Sequence, residues 1–417
     1  MESYNVEPLL EGAQVIEDTE SLSRFLDDIA GTDVLAVDTE SAGFYKFRAA
    51  VNLIQVSTRK RAALLDPQAI SDFTPLVRFA ETENCEWLFH GGDYDAGVLA
   101  RELKVRVRKL FDTRIAAEMI GSHELGLSAL AERYLGFALD KKLQRCDWSR
   151  RPLTPAMIRY GLLDAICLIP VRDELQAELE HLGRLDWARE EFEQLTEKFV
   201  NHLRTQPHEK PFAYLIKGSS RMPPRQVAIL KEVWTLRESI AEKLDRAPFM
   251  VLGNQALLDI ARQAPRSLAG LSVIKQIGRD FIARHGREVQ EAVKRGLEAP
   301  TDGLLPPARP RREQTFFTSW EGDIVRALRE RRNAVANRIN MPAALLTDPE
   351  VLSELAKTRP VGPDEMKKIP GFRNWQVDLL CEEYLPFLKK QPPVAPVGRR
   401  RRRRKKPAGP ADPGGAE

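Results

Sequence analysis

The stretch GTDVLAVDTE, residues 31–40, decides how the N-terminal part of the chain is read. Gly31, Thr32 and Asp33 favour a turn, Val34 to Val37 are continuously apolar, and Asp38 and Glu40 follow at once. A short apolar run bounded by turn residues predicts a strand, and its period of two turns both carboxylates to the same face. Two like charges so close raise one another's pKa unless a cation compensates. An oxygen-rich cluster suits Mg²⁺ or Mn²⁺ rather than zinc. Taken alone, the pair equally fits acids that keep a strand end soluble.

Outward from this run, VNLIQVS (51–57) and AALLDP (62–67) predict two more strands on short connections, and CEWLFH (85–90) another. Helices are expected over about residues 72–81 and 93–103, with mainly helical structure from there to about 180. Strands first and helices interspersed later imply an α/β or α+β domain around one mixed sheet. In His90-Gly91-Gly92-Asp93-Tyr94-Asp95 the glycines permit a tight strand-to-helix turn. Asp95 then falls in a first helical turn at the sheet edge, where ligands commonly bind, although Asp93 and Asp95 also suit the helix dipole. Thr154-Pro155 signals a helix start, so Tyr160 and Asp164 lie side by side at i,i+4. An ordinary amphipathic helix would show the same spacing. Pro170 is expected to end or kink this helix.

With 417 residues, 43% hydrophobic and 30% charged, the chain has the composition of a soluble protein of two to four compact units. MESYNVEPLLEG lacks the basic flank and apolar run of a signal peptide, and no stretch approaches the roughly 20 apolar residues of a membrane span. The expected location is cytoplasmic. Cys85, Cys146, Cys167 and Cys381 have no CxxC spacing, which argues against a zinc site or a disulfide framework. Removing the eight positive charges of 399–406 and the two negative ones after them turns the net +4 into −2 for residues 1–398. A generally basic, DNA-coating protein is therefore not what the composition shows, and attraction to a polyanion must come from local patches or from the basic run near the C-terminus.

Pro- and Gly-rich connectors occupy 204–226 and 300–312. Residues 236–261 and 328–356 share an LRE opening, an A-x-x-x-(D/N) step and a closing aliphatic-Ala helix, offset by roughly 95 residues. Each predicts a small all-helical domain.

The ordered set D-x-E, H-G-x-D-x-D-x-x-x-L and Y-x-x-x-D resembles the three exonuclease motifs of the DEDD superfamily in its tyrosine branch. NLIQVST (52–58), FDTRIAAEMIG (111–121) and LSALAERYLGFALDKKLQRCDWSRRPL (127–153) look like ribonuclease D and its exosome-associated relatives. The helical repeats are similar to HRDC domains. This resemblance implies an α/β fold: a ribonuclease H-like (DnaQ-like) exonuclease domain with a mixed sheet over 12–180, followed by two small all-α HRDC-like domains. A helical connector (181–215) would lead to the first HRDC-like domain (216–298). A Pro-rich linker (299–315), the second domain (316–391) and a disordered basic tail (392–417) would follow.

The resemblance further implies that Asp38, Glu40, Asp95 and Asp164 bind two divalent ions, Mg²⁺ or Mn²⁺, and that Tyr160 positions the attacking water. The implied activity is 3′-to-5′ trimming of RNA ends, pointing to tRNA precursors, with release of 5′-mononucleotides. No membrane partner is expected. A DNA exonuclease acting on single strands is one alternative, since the acidic motifs do not distinguish the sugar. A noncatalytic scaffold is another, although clustered acids facing a polyanion serve no purpose there. Ser41 and Cys146 depart from the Phe and Ser usual at those family positions. Thr39, His90, Lys141, Lys142, Gln144, Trp148 and Arg151 are the candidate substrate contacts, with Trp148 equally a core residue. Lys367, Lys368, Arg373 and Trp375 around the IPGF turn, and the run 399–406, are candidates for contact with structured RNA.

Overall fold

The computed structural model describes residues 4–47, 50–82, 84–204, 211–305 and 319–389. Six strands form one sheet: β1 (Gln14–Ile16), β2 (Val34–Ser41), β3 (Val51–Ser57), β4 (Ala62–Leu65), β5 (Glu86–Phe89) and β6 (Leu110–Asp112), in the order β1-β4-β3-β2-β5-β6. The β2–β3 and β3–β4 pairs are antiparallel and the others parallel, so the sheet is mixed. Every residue of β3 and β4 is buried, as continuous apolar runs are when both faces of a sheet are covered. β2 is buried only as far as Val37 and half-exposed from Asp38 on. The strand thus carries its acids out of the core, and a register shift between Glu40 and Ser41 re-aims the chain there.

Around the sheet lie α1 (Glu7–Glu11), α2 (Thr19–Asp28), α3 (Thr74–Thr82), α4 (Asp93–Leu103), α5 (Thr113–Met119), α6 (Leu127–Leu135), α7 (Pro155–Ile166), α8 (Leu168–His181) and α9 (Leu185–Arg204). Helix α7 packs across β2, β3 and β4. Thr154 caps it, its Oγ1 accepting from the Met157 N–H at 3.3 Å. The helix ends at Ile166, and Pro170 lies in the first turn of α8, where a missing N–H costs nothing. The break therefore precedes the proline instead of falling on it. The outer strands β1 and β6 were not expected from the sequence: at three residues each they show no period, and pairing with β4 and β5 makes them strands.

The helical repeats have the same plan. Helices α10 to α14 begin at Pro224, Pro248, Asn254, Leu268 and Arg279, and α15 to α19 at Ser319, Ala343, Pro349, Pro363 and Asn374, each start displaced by 95 residues. Trp375 is buried in the core of the second repeat, so it is not a surface contact. Lys367 pairs with Asp378 at 3.2 Å. Of the described residues, 4–305 with 336–345 form one compact unit and 319–335 with 346–389 another. Among the described residues no helix is long and apolar enough to cross a membrane. All four cysteines are free thiols. The expectations for the linker from residue 306 and for the tail 392–417, including 399–406, lie outside the described residues.

Candidate active site

One cavity of about 420 Å³ gathers the three acidic motifs: Asp38, Thr39 and Glu40 from β2, His90 and Asp95 from the β5–α4 turn, and Tyr160 and Asp164 from α7. Asp38, Glu40 and Asp164 each offer a carboxylate oxygen, and these atoms lie within 4.8 Å of one another. Asp95 lines the same cavity outside that trio.

Burial, and then the charges of Asp95, Asp164 and Glu40, hold the Asp38 carboxyl well above the usual range. Burial followed by Asp164 and Asp95 pushes Glu40 up to about 9. Burial pushes Asp164 up to about 7 and raises Asp95 as well. Hard oxygen donors that resist ionising together fit a divalent cation, which would remove the penalty.

The turn that presents Asp95 is built by a residue the motifs do not contain. Asp112, fully buried at the end of β6, accepts from the N–H groups of Gly91 (3.0 Å), Gly92 (2.8 Å), Arg114 (2.9 Å) and Ile115 (3.1 Å). It caps α5 and ties the glycine turn to the sheet in one carboxylate. Gly91 has φ of +67°, and a Cβ on Gly92 would stand 2.4 Å from the Phe89 Cβ, so neither position accepts a side chain easily. The Thr113 hydroxyl donates to the Phe89 carbonyl (3.1 Å), leaving its oxygen to accept from His90 Nδ1 (2.9 Å). Burial lowers the His90 pKa, favouring the neutral imidazole.

Tyr160 is kept protonated, its pKa raised by burial and then by Asp164, Glu40 and Asp38. The phenol lies beside the Asp164 carboxylate, one turn away on the same helix. Trp148 stands behind it, the two ring centroids 5.8 Å apart. It is 0% exposed, within a cluster with Leu53, Leu64, Met157 and Leu162. Of the two roles open to Trp148 from the sequence, core filling is the one its burial supports, and substrate stacking is not: it backs the Tyr160 ring from the core side. Beneath α7, the buried Gln55 amide lies across from Asp38 in the β2–β3 register, and a Cβ on Gly161 would come within 3.2 Å of its Nε2. The tight approach of α7 to β3 depends on that glycine.

Arg151 is also corrected. Its guanidinium pairs with the buried Asp66 (Nη2 to Oδ1 2.7 Å) and donates to the carbonyls of Asn52 (2.7 Å) and Trp148 (2.9 Å), so its donors anchor the 147–151 segment instead of substrate. Lys142 points into solvent beside Asp140 at 3.4 Å and is not part of the cavity wall, whereas Lys141 and Gln144 are. Thr39 lines the cavity, but its hydroxyl proton goes to Asp95 Oδ1 at 2.5 Å, which makes it a support for that acid. Arg114, absent from the sequence-based candidates, lines the cavity as a further cation. Its signal was the FDTR sequence at the start of α5, quoted above only for its likeness to relatives.

Residues 13–180 match the family profile described as a 3′-5′ exonuclease, and residues 226–293 and 321–387 each match that of the HRDC domain. The chain is 30% identical over 280 residues to ribonuclease D of Shewanella sp. (strain ANA-3), covering 66% of this chain and 70% of that one. It is 27% identical over 389 residues to ribonuclease D of Acidiphilium cryptum, covering 93% and 95%. The crystal structure of Escherichia coli RNase D superimposes with a TM-score of 0.62 at 23% identity, covering 91% of this chain and 100% of that one. Three acidic motifs in one cavity, a 3′-5′ exonuclease domain and two HRDC domains lead to one assignment: the chain belongs to the ribonuclease D family of 3′-5′ exoribonucleases.

Proposed function

We propose that the chain shortens RNA from its 3′ end by metal-dependent hydrolysis, releasing 5′-mononucleotides, with tRNA precursors as substrates. The observation that carries this reading is the convergence of the Asp38, Glu40 and Asp164 oxygens in a cavity that also holds Asp95 and Tyr160. Asp38, Glu40 and Asp164 would hold one divalent ion, and Asp95 would help hold a second. When bound, such a pair supplies the positive charge that makes water a nucleophile and stabilises the departing 3′ oxygen.

The chain's own groups do the positioning. The Tyr160 phenol, held neutral between Trp148 and Asp164, orients the attacking water through its oxygen. Arg114 and Lys141 at the cavity wall offset the charge of the incoming phosphate, and Gln144 offers an amide to the terminal nucleotide. The cavity is in the size class that encloses one small ligand, as removal of single nucleotides requires.

The domain limits proposed are those given under Sequence analysis, with both HRDC modules positioning structured RNA. Two weak modules on one chain gain from effective concentration. The E. coli relative's description as an exoribonuclease involved in structured RNA processing supports that division of labour.

The test is incubation with Mg²⁺ or Mn²⁺ and 5′-labelled RNA and DNA strands of matched sequence, beside an Asp38→Asn control. Stepwise shortening of RNA, absent in the control and much slower on DNA, is expected. Faster shortening of DNA would move the assignment to a DNA exonuclease, and binding without turnover to a scaffold.

A further inference from the structure

Two aromatic rings lie side by side on the surface where the nuclease meets the first helical repeat, and the reaction above leaves them unused. Phe44, between β2 and β3, is 57% exposed, and Phe249, in α11 (Pro248–Val251), is 48% exposed. Their ring centroids are 4.9 Å apart with planes tilted by 56°. Leu244 and Met250 near Phe249 are exposed as well. Single exposed apolar residues are ordinary, but this pair is held rigidly. The Ala247 N–H donates to the Tyr45 carbonyl at 2.9 Å, Lys46 pairs with Asp245 at 2.7 Å, and the Tyr45 hydroxyl donates to the Arg145 carbonyl at 2.8 Å.

Arg145 adjoins Gln144 in the cavity wall, and Phe44 is four residues from Glu40, so their Cα atoms are at most about 14 Å apart. The rings are therefore fixed beside the catalytic cavity. A cavity of about 420 Å³ takes the end of a strand and not the strand behind it, so a polymeric substrate must continue over neighbouring surface.

We propose that Phe44 and Phe249 form a stacking platform for the bases of a single-stranded RNA 3′ end, a few nucleotides upstream of the bond that is cut. The inference rests on the reading that the chain acts on RNA. Stacking is sequence-blind, because every base has a π-face. Lys243 and Arg246 on the helical side and Lys141 and Arg145 on the nuclease side are exposed cations suited to the phosphates, while Lys46 offsets the charge of Asp245. The platform also gives the first repeat a direct part in gripping the strand that the cavity shortens.

The test is a binding ladder of dinucleotide, tetranucleotide and dodecanucleotide RNA, read by fluorescence anisotropy on full-length protein carrying Asp38→Asn. Phe44→Ala or Phe249→Leu is expected to raise Kd for the dodecanucleotide about tenfold while leaving the dinucleotide nearly unchanged. Phe249→Trp restores the longer strand. Leucine keeps the apolar contact with Phe44, so a loss with Leu that Trp repairs reports stacking and not separation of the modules. An unchanged dodecanucleotide Kd in both variants would overturn the proposal, as would equal weakening at every length, which would mean that the rings only shape the cavity. Turnover by protein retaining Asp38 is scored separately: failure to shorten any RNA would overturn the functional reading, while the ladder still judges the platform.

Discussion

Four carboxylic acids and a phenol share one cavity; burial pushes each of them toward its neutral form, and the neighbouring acids reinforce this at Asp38, Glu40 and Tyr160. Unfolded, the acids would titrate near 4; folded, Asp164 does so at about 7 and Glu40 at about 9. The folded protein thus binds more protons than the unfolded one between these values. The stability this contributes is full below about pH 4 and is lost as pH rises through 7 and then 9. Metal-free protein is expected to melt at progressively lower temperature from about pH 5 to 9, and Mg²⁺ or Mn²⁺ to restore it, most strongly at the alkaline end. Calorimetry with chelator and with cation reads both slopes; a Tm insensitive to cation across this range would contradict the cluster as an ion site. Tyr160→Phe removes the hydroxyl while keeping the ring against Trp148. Steady-state kinetics should show kcat reduced by about 10²–10⁴-fold with KM little changed, and an unaltered kcat would remove Tyr160 from the chemistry.

At the scale of elements, three short segments set the geometry: the exposed end of β2, the glycine turn into α4, and α7 lying over β3. Gly92→Ala puts a methyl into the Phe89 side chain, so denaturant unfolding should show a loss of about 1–3 kcal/mol. Trimming should slow even in the fully folded variant, because Asp95 moves with the turn; full activity would show that the turn does not position it. β2, β3 and β5 were legible in sequence because their apolar runs are long enough to show strand character and are bounded by turn residues. The α7 start was legible because Thr154 and Pro155 have few other uses in adjacent positions. Asp112 was not legible: its four backbone partners come from a turn twenty residues earlier and from the start of its own helix, a contact that only the paired β5 and β6 create. Trp148 and Arg151 lay between the motifs with the chemistry of substrate contacts. Their burial and their partner Asp66 depend on how 147–151 folds back on the sheet, which no local pattern records.

At the scale of the molecule, a nuclease core with one acidic cavity is followed by two helical repeats that match in order and spacing. Among the described residues the only group of acids, histidines or cysteines placed to hold a metal ion is in the nuclease, so cutting is assigned to the core. Analysis of the products of a uniformly labelled RNA, with Mg²⁺ and with chelator, tests this account most directly. It predicts nucleoside 5′-monophosphates as the sole small product, released one at a time from the 3′ end and only in the presence of the cation. Nucleoside 3′-monophosphates, internal fragments, or undiminished cleavage under chelation would contradict it.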